Sequence, residues 1–274
     1  MLIIGAGNSG VDIACDAART AGKAFLSVRR GYRFVPKHLF GIPTDVLMSG
    51  KVLPPKAAAV SSDVNKMLDM LGGDLTRLGL PAPDHDALAS HPIMNTQVLH
   101  HLAHGDLTAK GDVKGFGGGR VRFADGAVEA IDLVLVCTGD DCKLPFFDAA
   151  LFGWKGGRPQ LYLNMLHRTL PGLYVLGFAE FADAAYRRFD EMAQMIVADI
   201  NARETGVNAG LMAEMRSLDR PDLRGGKACI DSPRHANYVN AETLMQVLAG
   251  KRRQLGWPDL DDHSFDEARQ EAKP

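Results

Sequence analysis

The chain opens on Leu2-Ile3-Ile4, a short β-branched apolar run that stops at Gly5. The period then changes. Val11, Ala14, Cys15 and Ala18 fall at i, i+3, i+4 and i+7, one apolar face of a helix over 9–21. A second compact apolar run follows over 24–28, so the chain starts as a strand–helix–strand unit. Residues 31–43 are basic, aromatic and rich in Gly and Pro, which predicts loop rather than core. Val60, Val64, Met67, Leu68 and Leu71 predict a helix over 60–71, capped by Ser61 or Ser62 and ended by Gly72-Gly73. Residues 95–104 predict a shorter helix, stopped by Gly105.

Residues 107–130 read as short strands, and Arg120-Val121-Arg122-Phe123 alternates into an Asp125-Gly126 hairpin turn. The run 131–137 is apolar except for Asp132, the pattern of a parallel strand buried on both faces. A second such run, 173–178, follows Pro171-Gly172. The next helix spans 184–203, with Phe189, Met192, Ile196 and Ile200 on its apolar positions. The remainder is polar and loop-rich, apart from one helix over 241–255. The alternation of strand and helix predicts an α/β fold with a parallel sheet, and the best boundary lies over 137–141.

A length of 274 residues allows one large domain or two small ones. The 46% hydrophobic and 23% charged content is that of a globular protein. A formal charge of -2 gives no electrostatic reason to expect nucleic acid or an anionic membrane as partner. No apolar stretch reaches bilayer length. The four cysteines, Cys15, Cys137, Cys142 and Cys229, form no Cys-x-x-Cys pair, which argues against a dithiol redox centre and a zinc ribbon. With no basic leader before the first glycine, these features predict a reducing, cytoplasmic setting.

The candidate chemistry lies in Gly5-Ala6-Gly7-Asn8-Ser9-Gly10. In a Gly-x-Gly-x-x-Gly turn the first glycine allows a sharp turn off the strand. The second leaves room for a pyrophosphate, and the third lets the helix pack close to the strand. The head of that helix favours an anion. The second strand ends in Ser27-Val28-Arg29-Arg30. An acid there suits a free ribose hydroxyl and an arginine a 2′-phosphate, so the cofactor expected is NADP(H). The alternative is an ordinary tight turn with solvated arginines, disfavoured by the complete strand–glycine–helix–strand context. Arg33, Lys37 and His38 can add positive charge, although each alone reads first as a solvated loop residue. His100 and His104 share a helix face, but no convincing third ligand accompanies them, so surface or capping roles are favoured over a metal. No Ser, Cys or His constellation suggests a covalent nucleophile. A short-chain dehydrogenase is set aside because no tyrosine has a lysine four residues on; Tyr32 has Lys37 five on.

Taken together, the glycine turn with Asp12, Ser27-Val28-Arg29-Arg30, Thr138-Gly139 and Leu173-Tyr174-Val175-Leu176-Gly177 resemble the later part of a flavin-containing monooxygenase. Phe189-Asp190-Glu191-Met192-Ala193-Gln194 and Arg234-His235-Ala236-Asn237-Tyr238 extend the resemblance over most of the chain. In that family an NADPH-binding domain is inserted into an FAD-binding one. The resemblance implies a Rossmann-like NADPH domain over 1–136, the returning part of an FAD domain over 137–206, and an extension with one helix over 207–274. Thr138 and Gly139 would mark the return, where an acid, Asp140, replaces the usual aromatic. Gly177 and Phe178 would touch flavin. The implied activity is reduction of FAD by NADPH and transfer of one oxygen atom from O2 to an amine, sulfide or ketone.

The family's own FAD glycine turn and its Phe-x-Gly fingerprint would precede Leu2 and are not present. The glycine-dense segment 115–119 precedes a strand instead of a helix and is no substitute. The expectation is therefore that an upstream part is missing and that the chain alone is inactive. The competing reading is a non-catalytic NADP(H)-binding module, as a homodimer or with a partner supplying the FAD half.

Overall fold

The computed structural model describes residues 1–39, 41–44, 46, 64–86, 89–141, 143–181, 185–226 and 238–260. Residues 60–63, with their expected serine caps, the 234–237 stretch, Cys142 and Cys229 lie outside the described residues. The chain divides into two compact units, Met1–Asp140 and Asp141–Pro274.

In the first unit β1 (Leu2–Ile4), α1 (Asn8–Thr20) and β2 (Phe25–Ser27) form the opening unit. A small hairpin, β3 (His38–Leu39) and β4 (Ile42–Pro43), follows. Next come α2 (Val64–Gly72) and α3 (Gln97–His104), then β5 (Thr108–Lys110). An antiparallel meander, β6 (Val113–Gly117), β7 (Arg120–Phe123) and β8 (Val128–Ala130), leads to β9 (Val134–Val136). The parallel sheet has the order β5-β2-β1-β9.

Period two sorts the strand residues onto the two faces of this sheet. Ile3 and Leu26 pack with Val11, Ala14 and Cys15 of α1 and with Val98 and Leu102 of α3. Leu2 and Phe25 pack on the other face with Val121, Phe123 and Ile131 of the meander. Leu2, Ile3 and Leu26 are fully buried, each contributing about 1.5–3 kcal/mol of hydrophobic stabilisation. The sheet is thus covered by helices on one side and by strands on the other. Gly118 and Gly119 turn the β6–β7 hairpin with φ of 56° and 70°, as a two-residue hairpin requires.

Several expectations need correction. The run 131–137 is not buried on both faces: β9 is the last strand in the sheet order, with Val136 70% exposed and Leu133 46% exposed. Segment 31–43 contributes to the core, because Phe34 and Val35 are buried and Phe34 bridges to Ile93. Residues 173–178 form no strand. Leu173 O and Val175 N bond beside β11, and Leu176 is exposed.

In the second unit β10 (Leu161–Tyr162) and β11 (Leu166–His167) form a short hairpin. Around it lie α4 (Ala185–Thr205), α5 (Ala209–Leu218) and α6 (Ala241–Gln254). Their shared core includes Tyr162, Leu166, Met192, Met195, Met212 and Leu248. Helix α5 falls in a stretch expected to be loop. It buries only Met212 and Arg216, one pair four apart, so it leaves little periodic signal. Asp199, 1% exposed, accepts the Tyr174 hydroxyl at 2.7 Å and lies 3.7 Å from the Arg216 guanidinium, so its buried charge is compensated. His167, also buried, accepts from Thr169 N and Leu170 N at Nδ1 and faces Leu151 O at 2.7 Å through Nε2, which assigns the proton to Nε2.

Candidate functional site

Strand β1 leads through α1 to β2 on one side, whereas β9 lies on the other. The strand order therefore reverses between β1 and β9, and a crevice at that point opens at the carboxyl ends of both strands. Gly5 ends β1 with φ +108°, a conformation closed to residues with a Cβ; a Cβ there would stand 2.3 Å from Cys137 O. Gly5 N donates to Ser27 O at 3.1 Å. Gly7 is the N-cap of α1, extended at ψ 176°, and no side chain caps the helix. The first bond back into the helix is Val11 N to Gly7 O at 3.0 Å. The amides of Asn8, Ser9 and Gly10 therefore head the helix without intrahelical partners. A Cβ on Gly10 would stand 2.0 Å from Gly5 O, so the glycine is what lets α1 approach the strand end.

The residues singled out by sequence fall into distinct roles. Ser9 and Arg29 are exposed. Arg30 lies 3.3 Å from Asp84, with both side chains more than a third exposed, a pairing worth about 0–1 kcal/mol. The His85 ring at 2.6 Å holds the Asp84 carboxyl below the usual carboxylate range, with the Arg30 charge adding to it. Asn8 uses both ends of its amide internally: Nδ2 donates to Pro92 O at 3.0 Å and Oδ1 accepts from Met94 N at 2.8 Å. Ser27 is buried, and its hydroxyl donates to Gly111 O at 2.8 Å. Thr138 and Gly139, the latter at φ +95°, leave β9 on the same edge and are exposed. Gly5, Gly7, Asn8, Ser9, Gly10, Ser27, Arg29, Arg30, Thr138 and Gly139 thus share the first unit. Gly177 and Phe178 belong to the second, where Gly177 is exposed at φ +111° and Phe178 meets Trp154 edge-on at 5.7 Å.

Arg33 is not a free cation: its Nε lies 2.8 Å from Asp69, and Nη1 donates to His85 O. The His100 and His104 rings lie 4.0 Å apart, and His104 Nδ1 donates to His100 O at 2.9 Å. No group of three or more metal-binding side chains forms among the described residues. Asp84 and Asn95 went unnoticed in the sequence. Asp84 meets Arg30 across 54 positions. Asn95 Nδ2 donates to Asp12 at 2.6 Å, while its Oδ1 accepts Gln97 N and Val98 N at the head of α3. Neither carries a local pattern; only the Asn before an apolar helix was a signal, as a cap. Among the described residues no helix is long and apolar enough to cross a membrane.

A family model described as Flavin-binding monooxygenase-like matches residues 1–219. Flavin-containing monooxygenase 5 of Mus musculus is 35% identical over 272 residues, covering 92% of this chain and 49% of that protein. Its Homo sapiens counterpart is 35% identical over 273 residues, covering 93% and 49%. Indole-3-pyruvate monooxygenase YUCCA4 of Oryza sativa subsp. japonica is 25% identical over 187 residues, covering 65% and 42%. The chain spans about half the length of the curated relatives it matches. With its parallel-sheet α/β architecture and its glycine turn, the chain belongs to the flavin-binding monooxygenase-like family.

Proposed function

We propose that the first unit binds NADPH at the glycine turn. In the complete protein, that NADPH reduces FAD, and one oxygen atom from O2 is inserted into a small amine, sulfide or ketone. The observation that carries this reading is the uncapped head of α1 above Gly5, Gly7 and Gly10, at the reversal of strand order. Its free amides and helix dipole face the diphosphate. A Cβ on Gly5 or Gly10 would strike the Cys137 or Gly5 carbonyl oxygen, so these glycines let α1 close onto the strand end and set its head amides over the turn, as a dinucleotide site requires. Arg29 and Arg30 hold the 2′-phosphate, Arg30 exchanging its weak Asp84 contact for a stronger charge-assisted one. Asn8 and Ser27 support the turn from behind, and Thr138 and Gly139 form its far wall.

When bound, the nicotinamide supplies hydride and the flavin supplies oxygen activation. This chain's residues orient the first and return toward the second over 137–206, with 207–274 as an extension. Gly177 and Phe178 face the flavin; open space where a Gly177 Cβ would stand fits close approach of a ligand. The second unit's described residues hold no cradle comparable to Gly5–Gly10, so FAD binding draws on further sequence or a partner, homodimeric or otherwise. We place the protein in the cytoplasm, acting on a small molecule without nucleic acid or membrane.

Titration of the folded chain with NADPH and NADH, followed by nicotinamide fluorescence, tests the reading. Saturable NADPH uptake is expected. The double variant Arg29→Ala, Arg30→Ala should weaken NADPH at least tenfold and leave NADH nearly unchanged. Equal losses would remove the phosphate assignment, and no saturable uptake would remove the site.

A further inference from the structure

No acid stands beside Arg29 and Arg30 in sequence, yet the fold delivers one to Arg30 from 54 positions away. Asp84 Oδ2 lies 3.3 Å from Arg30 Nε, with both side chains exposed. We propose that Asp84 is a specificity-determining residue of the nucleotide site. It is the resident counter-anion of Arg30, which a 2′-phosphate must displace and a free ribose hydroxyl leaves in place. This role rests on the assignment of the glycine turn and the two arginines to NADPH.

The backbone around Arg30 fixes where the acid stands. Gly31 pairs with Pro83 in a parallel bridge. A Cβ on Gly31 would stand 2.1 Å from Ala82 O and 2.5 Å from Pro81 O, so only glycine lets segment 81–84 lie this close to the end of β2. Tyr32 meets the His85 ring edge-on, with centroids 6.1 Å apart, and Arg33 Nη1 donates to His85 O. Three consecutive residues after Arg30 thus hold the segment that carries Asp84.

The two carboxylate oxygens have separate duties. Oδ1 accepts from His85 Nδ1 at 2.6 Å, and that ring, its side chain 8% exposed, faces Ser90 Oγ at 2.8 Å through Nε2. An ionised carboxylate only accepts, so His85 Nδ1 carries the proton. Oδ2 is left for Arg30. Its 3.3 Å contact is longer than the roughly 2.7–2.9 Å of a good charge-assisted bond, so it holds Arg30 loosely while compensating its charge. An anion arriving free in solution meets a compensated cation. A phosphate tethered to a nucleotide already seated at the turn arrives at high local concentration and displaces the acid. Asp84 then keeps His85 as its partner, so the exchange strands no charge. The exchange costs NADPH the strength of the pair and costs NADH nothing, and in this way Asp84 sets the size of the NADPH preference.

The test is titration of NADPH and NADH, followed by nicotinamide fluorescence at low, constant ionic strength, into the full chain, Asp84→Asn, Arg30→Ala and the double variant. Asp84→Asn removes the charge, keeps an acceptor for His85 Nδ1 and alters an exposed side chain, so it should fold normally. It should tighten NADPH about two- to fivefold, the range an exposed ion pair can hold back, and leave NADH unchanged. In the Arg30→Ala background the gain should vanish. A gain of equal size without Arg30 would mean that Asp84 repels the phosphate directly, and the proposal fails. Weaker NADPH binding in Asp84→Asn would make the acid a support of Arg30 rather than its competitor, and weaker NADH binding would make it the ribose acceptor; either overturns the proposal. If the parent binds NADPH and Asp84→Asn changes nothing, this role alone falls. If the parent takes up no NADPH, the nucleotide site falls and this role with it.

Discussion

A methyl group at position 10 would sit 2.0 Å from the Gly5 carbonyl oxygen, a backbone atom with no flexible end to yield. Gly10→Ala should therefore push α1 off the strand end, at a cost of about 1–3 kcal/mol from overpacking. Nucleotide uptake should fall with it. Gly22 has open space where a Cβ would go, so Gly22→Ala should stay within about 0.5 kcal/mol of the parent. Urea unfolding of both variants, with NADPH titration of each, checks the contrast. The spacing of the three glycines was readable from sequence because they stand close together in one turn, whereas the approach of the Cys137 carbonyl to Gly5 was not. The duties of Asn8 and Ser27 were not, since their partners Pro92 and Gly111 each lie 84 positions away.

Helices α1 and α3 are joined by one side chain. Asn95 caps α3 through Gln97 N and Val98 N and reaches Asp12 on α1 at 2.6 Å. Asn95→Ala removes the cap and a charge-assisted bond together. The loss should be about 2–3 kcal/mol, with faster amide exchange at Gln97 and Val98. Exchange rates unchanged at those two amides would show that Thr96 suffices as a cap. Elements whose apolar face repeats over several turns, such as α1 and α4, were legible from period alone. Runs 131–137 and 173–178 misled because an apolar run does not reveal how many neighbours a strand has. β9 has one, and 173–178 only borders β11.

In the second unit, Asp219 gathers three elements: Lys251 of α6 at 2.5 Å, the Tyr162 hydroxyl of β10 at 3.4 Å, and the end of α5 that it caps. Burial pushes the Asp219 carboxyl up, but the Lys251 hydrogen bond and charge, with an Arg220 amide and Tyr162, outweigh it and hold the pKa below its ordinary value. A carboxylate depressed in the folded state stabilises above its unfolded pKa of about 3.9 and loses that contribution as pH falls through the folded value. Stability of this unit should therefore drop below about pH 4. Asp219→Asn should be less stable at neutral pH and show a shallower acid limb in urea midpoints measured against pH. A parallel limb in the variant would assign the acid loss to other carboxylates.

The β6–β7 turn stands at the end of the meander, where Gly117, Gly118 and Gly119 meet nothing within 4 Å on the Cβ side and are exposed. It belongs to the layer opposite α1, so a guest peptide spliced into that tip, an affinity tag or a fluorophore-binding loop, would add a reporter to the molecule without burdening the helix proposed to bind the nucleotide.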